Sequence, residues 1–416
     1  MTTSADRSIL NQPLTLPCGV TLKNRLAKSA MSEALGTIDN HATLALANLY
    51  RLWANGGIGL AMTGNVMIDR RAIGEPGNVV VEDSQDLLIL RQWAQAGTAL
   101  NTQLWMQLNH PGKQSPKGLC LETVAPSAIP FSPKLQRFFA VPRALKEEEI
   151  LTLIERFARS AAIAQEAGFT GVQIHGAHGY LVSQFLSPRH NQRQDAWGGT
   201  AENRQRFVLE IYRAIRRATG ASFPVGIKLN SADFQLGGMT EEESLNVIRA
   251  LSAENIDLIE ISGGTYEAPV MAKGVGGKES TLDREAYFLA FAEQARQVTK
   301  TPLMVTGGFR SPDAMADAIK ASHADLVGLA RLLAIEPDAP SRLLRGEPTR
   351  HTVRPLRTGI GFVDRMALME VAWYARQLHR LAKGKEALAD ENVLKAFFAV
   401  ILSSGLQTWR TRRLRA

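Results

Sequence analysis

His175, His178 and Tyr180 fall within one short stretch, HGAHGY, of a 416-residue chain. Two imidazoles beside a phenol can offer hydrogen bonds and move a proton, which is general acid–base chemistry. The residues before them, Val172-Gln173-Ile174, form a short apolar run bounded by glycines and suit a buried strand. The residues after them lead through Asp195, Trp197, Gly198 and Gly199 to Glu202-Asn203-Arg204, where a helical pattern opens. The stretch also fits a polar loop whose histidines are merely hydrogen-bonded, because short motifs carry false positives.

Presenting the trio at a strand end requires a strand before it and a helix after it, and that pair of elements recurs along the chain. Strand-like runs occupy residues 25–33, 58–66, 102–109, the stretch opening at Gly171, 224–230, 258–264, 302–308 and 324–331. Helical patterns lie between them at 42–54, 86–101, 146–168, 201–219, 241–254, 284–300 and 312–322. After strand three a long insertion carries Pro111, Pro116, Pro126, Pro130, Pro133 and Pro142, which forbids a continuous helix there. Repeated strand–helix units over roughly 300 residues predict an α/β fold of the (β/α)₈ TIM-barrel type. A doubly wound sheet would need a glycine-rich first turn, and Ser29-Ala30-Met31-Ser32 is not one.

Barrel enzymes assemble their sites at strand C-terminal ends, often with a phosphate site after strands seven and eight. Strand seven runs into Thr306-Gly307-Gly308-Phe309, where small residues let backbone N–H groups approach an anion. Strand eight ends Gly328-Leu329-Ala330-Arg331, which adds a guanidinium able to grip phosphate oxygens in a fork. Tight turns and a surface arginine would produce the same pattern.

Composition narrows the class. The chain is 45% hydrophobic and 21% charged, as expected of a globular protein, and its longest late apolar run, 396–402, is too short for a bilayer. Only Cys18 and Cys120 occur, which excludes a disulfide framework or a four-cysteine metal site supplied by this chain. The start MTTSADRSILNQP shows no basic region followed by an apolar run, so a cytoplasmic protein is expected. Part of the net charge of +8 sits at Arg410, Arg412, Arg413 and Arg415, read as a solvated tail rather than a nucleic-acid arm.

From about residue 14 to 340 the chain resembles the old yellow enzyme family of FMN-dependent ene-reductases, in its bacterial branch. The motifs are Leu22-Lys23-Asn24-Arg25, Met106-Gln107-Leu108-Asn109-His110-Pro111-Gly112-Lys113, the stretch from Gly171 to Phe207, Lys228-Leu229-Asn230-Ser231, Ser262-Gly263-Gly264 and the two phosphate loops. The resemblance implies FMN across the barrel mouth, bound in part by Gly307, Phe309 and Gly328, with its phosphate at Gly308, Ala330 and Arg331. Gln107 then meets the pyrimidine edge of the flavin, an amide that both donates and accepts. Lys228 stands where many members have arginine, near flavin N1 and O2. Ser32 replaces the usual threonine or cysteine close to O4, Ala30 and Met31 line the same wall, and Gly64 sits beneath the ring. His175 and His178 imply a hydrogen-bonding pair for a substrate carbonyl, and Tyr180 a proton donor to the α-carbon. NADH or NADPH would reduce FMN and leave. An activated alkene, such as an α,β-unsaturated carbonyl or nitro compound, would then take hydride at its β-carbon in the same pocket.

Departures and rivals follow from the same residues. Relatives with an iron–sulfur cluster need cysteines that are absent here. A tRNA-modifying flavin barrel would call for a catalytic cysteine near strand three, whereas Cys120 lies in the proline-rich insertion. A non-catalytic FMN-binding protein would have no use for the His175–His178–Tyr180 trio. Residues 1–345 are expected to form the barrel. Residues 346–416 would form a helical extension, with helices at 362–383 and 391–406, packing on the barrel or on a neighbouring subunit of a homo-oligomer. No metal, membrane or nucleic-acid partner is expected.

Overall fold

The computed structural model describes residues 4–265, 267, 281–309, 311–353, 356, 368–396 and 398. Eight parallel strands close on themselves: β1 (Leu26–Lys28), β2 (Leu60–Met67), β3 (Gln103–Asn109), β4 (Gly171–Gly176), β5 (Val225–Asn230), β6 (Leu258–Ser262), β7 (Leu303–Thr306) and β8 (Leu326–Leu329). Gly328 pairs with Ala27 across the closure between β8 and β1, and Lys28 pairs with Ala61 on β2. The expected (β/α)₈ barrel is the observed architecture.

Strands in such a barrel are covered on both faces, so they read as apolar runs rather than alternating ones. Their outer faces meet α1 (Leu44–Asn55), α2 (Leu87–Gly97), α3 (Glu147–Ala167), α4 (Ala201–Thr219), α5 (Glu241–Ala253), α6 (Thr281–Val298) and α7 (Pro312–Lys320). Their inner faces fill the lumen with Ala27, Leu60, Met62, Trp105, Leu258, Met304 and Leu326. Side chains alternate along a strand, so a position two residues further on returns to the same face. Trp105, Leu258 and Met304 are thereby followed by Gln107, Glu260 and Thr306, and the lumen turns from apolar to polar towards the strand C-terminal ends. A hairpin of Leu14–Thr15 and Thr21–Leu22 floors the opposite end, where the Cys18 backbone N–H donates to Asp257 Oδ1 at 2.8 Å.

Most sequence-derived boundaries fall within a few residues of the observed ones. The first strand is the exception: it was expected over 25–33 and stops at Lys28, after which the chain peels away to line the barrel mouth. The helix expected over 86–101 ends at Gly97, because Leu100 and Asn101 take φ of 54° and 58°, outside the helical region. The hairpin floor and a short helix after β4, Leu181–Leu186, were not anticipated.

Beyond β8, helix α8 (Leu368–Ala382) lies against α1, and Trp373, Leu378 and Leu381 join the apolar shell that contains Tyr50 and Trp53. The first six residues of the helix expected over 362–383, most of that expected over 391–406, and the arginine-rich tail lie outside the described residues. Among the described residues no helix is long and apolar enough to cross a membrane.

Candidate active site

His175 ends the inward face of β4, and its ring centroid is 4.8 Å from that of Tyr180 and 5.1 Å from that of His178. The structure thus brings the sequence-predicted trio together. His178 adopts φ 61°, a left-handed conformation uncommon outside glycine. It is held there by its backbone N–H donating to Asn230 Oδ1 (3.1 Å) and by Gln114 Nε2 donating to its carbonyl (3.0 Å). Burial, with the nearby Lys228 charge, pushes both imidazoles well below the ordinary histidine range, so both are neutral at pH 7. The Nδ1 of His175 accepts from the Ala177 backbone N–H at 3.3 Å. A neutral ring with Nδ1 as acceptor carries its proton on Nε2, which makes that nitrogen the donor. His178 Nε2 is 2.7 Å from Ser262 Oγ, and Asn65 Nδ2 lies 3.4 Å from the Tyr180 hydroxyl.

Behind the trio a run of polar side chains crosses the upper lumen. Gln107 Nε2 donates to Gln173 Oε1 at 2.7 Å, and Gln173 Nε2 donates to Glu260 Oε2 at 2.7 Å. Lys228 Nζ is 3.0 Å from Glu260 Oε1, to which Thr306 Oγ1 also donates at 2.7 Å. Ser29 Oγ reaches Thr306 Oγ1 at 2.7 Å. Gly328 makes room for that last pair, since a Cβ there would lie 2.1 Å from Thr306 Oγ1 and 2.5 Å from Ser29 Oγ. Two of the predicted residues, Gln107 and Lys228, therefore share one network with Gln173, Glu260 and Thr306, which sequence reasoning missed.

The loop after β1 carries Ala30, Met31 and Ser32, all partly exposed at the mouth. Ser32 Oγ donates to Glu75 Oε1, and Asn78 Nδ2 donates to the same oxygen at 3.1 Å. Burial raises the Glu75 carboxyl to about 7, and the nearby Glu33 charge adds to the effect against the Asn78 hydrogen bond. Glu33 itself takes the Gly64 backbone N–H at 2.9 Å and the Tyr50 hydroxyl, and lies 3.5 Å from the fully buried Lys28 Nζ. The space a Gly64 side chain would need is filled by Glu33 Oε2 and the Met31 carbonyl, so protein packing alone demands glycine there. A buried ammonium is disfavoured, and Lys28 is pushed down to about 8 despite its contacts with Met62 O (2.7 Å) and Tyr50 OH (3.0 Å).

At the other side of the mouth Gly307 and Gly308 take φ of 103° and 86°, a region that glycine enters at no steric cost. A Cβ on Gly307 would meet nothing within 4 Å, so this turn borders open space. Phe309 packs partly into the outer core, and Ala330 precedes a short helical turn, Arg331–Ala334. Arg331 Nη1 lies 3.6 Å from Glu370 Oε2 on α8. Cys120 is tied to the Ile73 backbone N–H (3.0 Å) and to Ser115 Oγ (2.7 Å) in the insertion.

Neutral amide, ammonium, hydroxyl and open glycine turn are the donor types that a flavin ring and its phosphate require. Gln107 spends one N–H on Gln173 and keeps a second N–H and its carbonyl, so the residues present fit FMN in kind. Ser32 fits on one condition. A hydroxyl has one proton, and donating it to a flavin oxygen means giving up the bond to Glu75.

A closed parallel barrel with such a mouth defines the class of flavin-dependent barrel oxidoreductases. Residues 10–350 match the NADH:flavin oxidoreductase / NADH oxidase family, and the chain belongs to that family. It is an oxidoreductase with FMN and NAD(P)H as its cofactors. It is 37% identical over 409 residues to the NADH-dependent flavin oxidoreductase iccE of Talaromyces variabilis, covering 90% of this chain and 98% of that one. To the NADH-dependent flavin oxidoreductase iliE of Neonectria sp. (strain DH2) it is 39% identical over 354 residues, 79% of this chain but only 46% of that relative's length. The old yellow enzyme homologue of Zymomonas mobilis shares the fold, with TM-score 0.71 and 24% identity over 83% of this chain and 94% of that one.

Proposed function

We propose that the chain is an ene-reductase: bound FMN, reduced by NADH or NADPH, supplies hydride to the β-carbon of an alkene conjugated to a carbonyl or nitro group. The observation that carries this reading is the convergence of His175, whose Nδ1 accepts from the Ala177 N–H, His178 and the Tyr180 hydroxyl at one strand end. The two imidazoles hold the substrate's oxygen and stabilise the negative charge that grows there. Tyr180 gives its proton to the α-carbon, with Asn65 positioned at its hydroxyl. Gln107, Lys228 and Ser32 hold the ring of FMN, beside a wall of Ala30, Met31 and Gly64. Gly308, Ala330 and Arg331 would hold its phosphate, with Gly307, Phe309 and Gly328 completing the cofactor's surroundings. The division into a barrel of 1–345 and a helical extension of 346–416 belongs to the same reading. So does placement in the bacterial branch of the old yellow enzymes, although the two flavin oxidoreductases named above as sequence relatives are fungal.

The test is anaerobic. Reduce the protein with NADPH, add 2-cyclohexenone and follow the flavin absorbance. Rapid reoxidation with formation of cyclohexanone is expected, and a flavin that stays reduced with several enones and nitroalkenes would overturn the reading. Tyr180→Phe should slow reoxidation by the enone about 10²–10⁴-fold while leaving reduction by NADPH intact.

A further inference from the structure

Glu260 sits at the hub of the upper-lumen network, fully buried, with three different partners on its two oxygens. An ionised carboxylate can only accept hydrogen bonds, so it fixes the direction of every bond that leads to it. Gln173 must turn its NH₂ towards Glu260, which leaves its carbonyl for Gln107. Gln107 in turn must donate through Nε2, and its amide cannot flip without placing two carbonyl oxygens face to face. On the other arm Thr306 must donate to Glu260, and so receives from Ser29. The hub also sets a charge: Lys228 Nζ, the cation at the mouth beside His175, stands 3.0 Å from the carboxylate.

Resting on the FMN-mouth reading given above, we infer that Glu260 is a positioning residue for the flavin. It locks the Gln107 amide in one orientation through Gln173, and it holds Lys228 in place while offsetting part of the charge that Lys228 presents to the ring. It touches neither substrate nor cofactor in this account and acts only through those two side chains. Because the offset is negative, Glu260 limits how strongly the site favours the anionic reduced flavin over the neutral oxidised one.

The decisive experiment measures the midpoint potential of bound FMN, and its dissociation constants in both oxidation states, for the wild type, Glu260→Gln and Gln173→Met. Glu260→Gln keeps the volume and removes the charge. It should raise the preference for reduced over oxidised FMN about tenfold, which for a two-electron couple is a shift of about 30 mV upward. Gln173→Met leaves the Lys228–Glu260 pair and frees Gln107. It should weaken FMN in both oxidation states about tenfold and leave the potential where it was. A merely structural glutamate would alter stability without a signed change of potential. An unshifted or lowered potential in Glu260→Gln refutes the charge role, and unchanged affinities in Gln173→Met refute the orientation role. Should Glu260→Gln fail to fold, Gln173→Met still decides the second. A wild-type protein that takes up no FMN overturns this inference together with the reading beneath it. FMN that binds but does not reduce alkenes overturns only that reading.

Discussion

Replacing Glu75 by glutamine should make the protein less sensitive to rising pH. The carboxyl loses solvation in the folded chain and sits near Glu33, which together raise it from 4.5 to about 7. A raised carboxylate pKa means that the unfolded chain gives up its proton first. Between pH 4.5 and 7 the folded state therefore binds more protons, and stability falls as pH rises. One pKa unit is worth about 1.36 kcal/mol, so the penalty grows from about 1 kcal/mol at pH 5 to about 3 kcal/mol at pH 8. Glu75→Gln keeps an acceptor for Ser32 and cannot ionise. Urea unfolding of the flavin-free wild type and variant at pH 5, 6, 7 and 8 should show the variant gaining about 2 kcal/mol on the wild type across that window. Stability curves that run parallel from pH 5 to pH 8 would refute the reasoning, because they would mean that Glu75 ionises in the fold as easily as in the free chain.

Other outcomes follow from single contacts. Gly328→Ala forces a methyl to within 2.1 Å of Thr306 Oγ1, and should cost about 1–3 kcal/mol in thermal or urea unfolding while disturbing the Ser29–Thr306 pair. The alkene half-reaction should show no histidine limb between pH 6 and 8, since His175 and His178 are already neutral there; a limb abolished by His175→Asn would contradict that. Glu370→Gln releases Arg331 from a partly exposed pair at 3.6 Å, worth at most about 1 kcal/mol. FMN titration should then show up to about fivefold tighter binding at low salt, with the gain disappearing at high salt.

Much of this architecture was legible because β2 to β8 are covered on both faces and announce themselves as apolar runs. The trio was legible for a similar reason: His175 and Tyr180 follow one such run at a fixed short spacing. What stayed hidden was the set of buried and half-buried carboxylates. Glu33 and Glu75 lie in irregular segments, where sequence gives no sign that folding will remove them from water. Glu260 did carry a signal. It stands in the middle of LIEIS, as Gln173 does in GVQIHG and Lys228 in VGIKLN. A polar residue inside a strand with no solvent face has to be paired, and pairing these three with one another would have sketched the network. Lys28 obeys the same rule on the outer face, where Tyr50, Met62 and Glu33 receive it.

The seating of α8 against α1 sets a timetable for the newborn chain. His379 Nε2 meets the Glu33 carbonyl at 2.8 Å across 346 residues of sequence. At about 5–20 residues per second of synthesis, the loop that carries Ser32 and Glu33 waits roughly 20–70 s for the helix that covers it. Until then the side of α1 on which α8 packs, where Asn48 Nδ2 meets the Ala382 carbonyl at 3.5 Å, lacks that cover. Nascent chains stalled before residue 368 should consequently hold a chaperone that chains released past residue 382 let go.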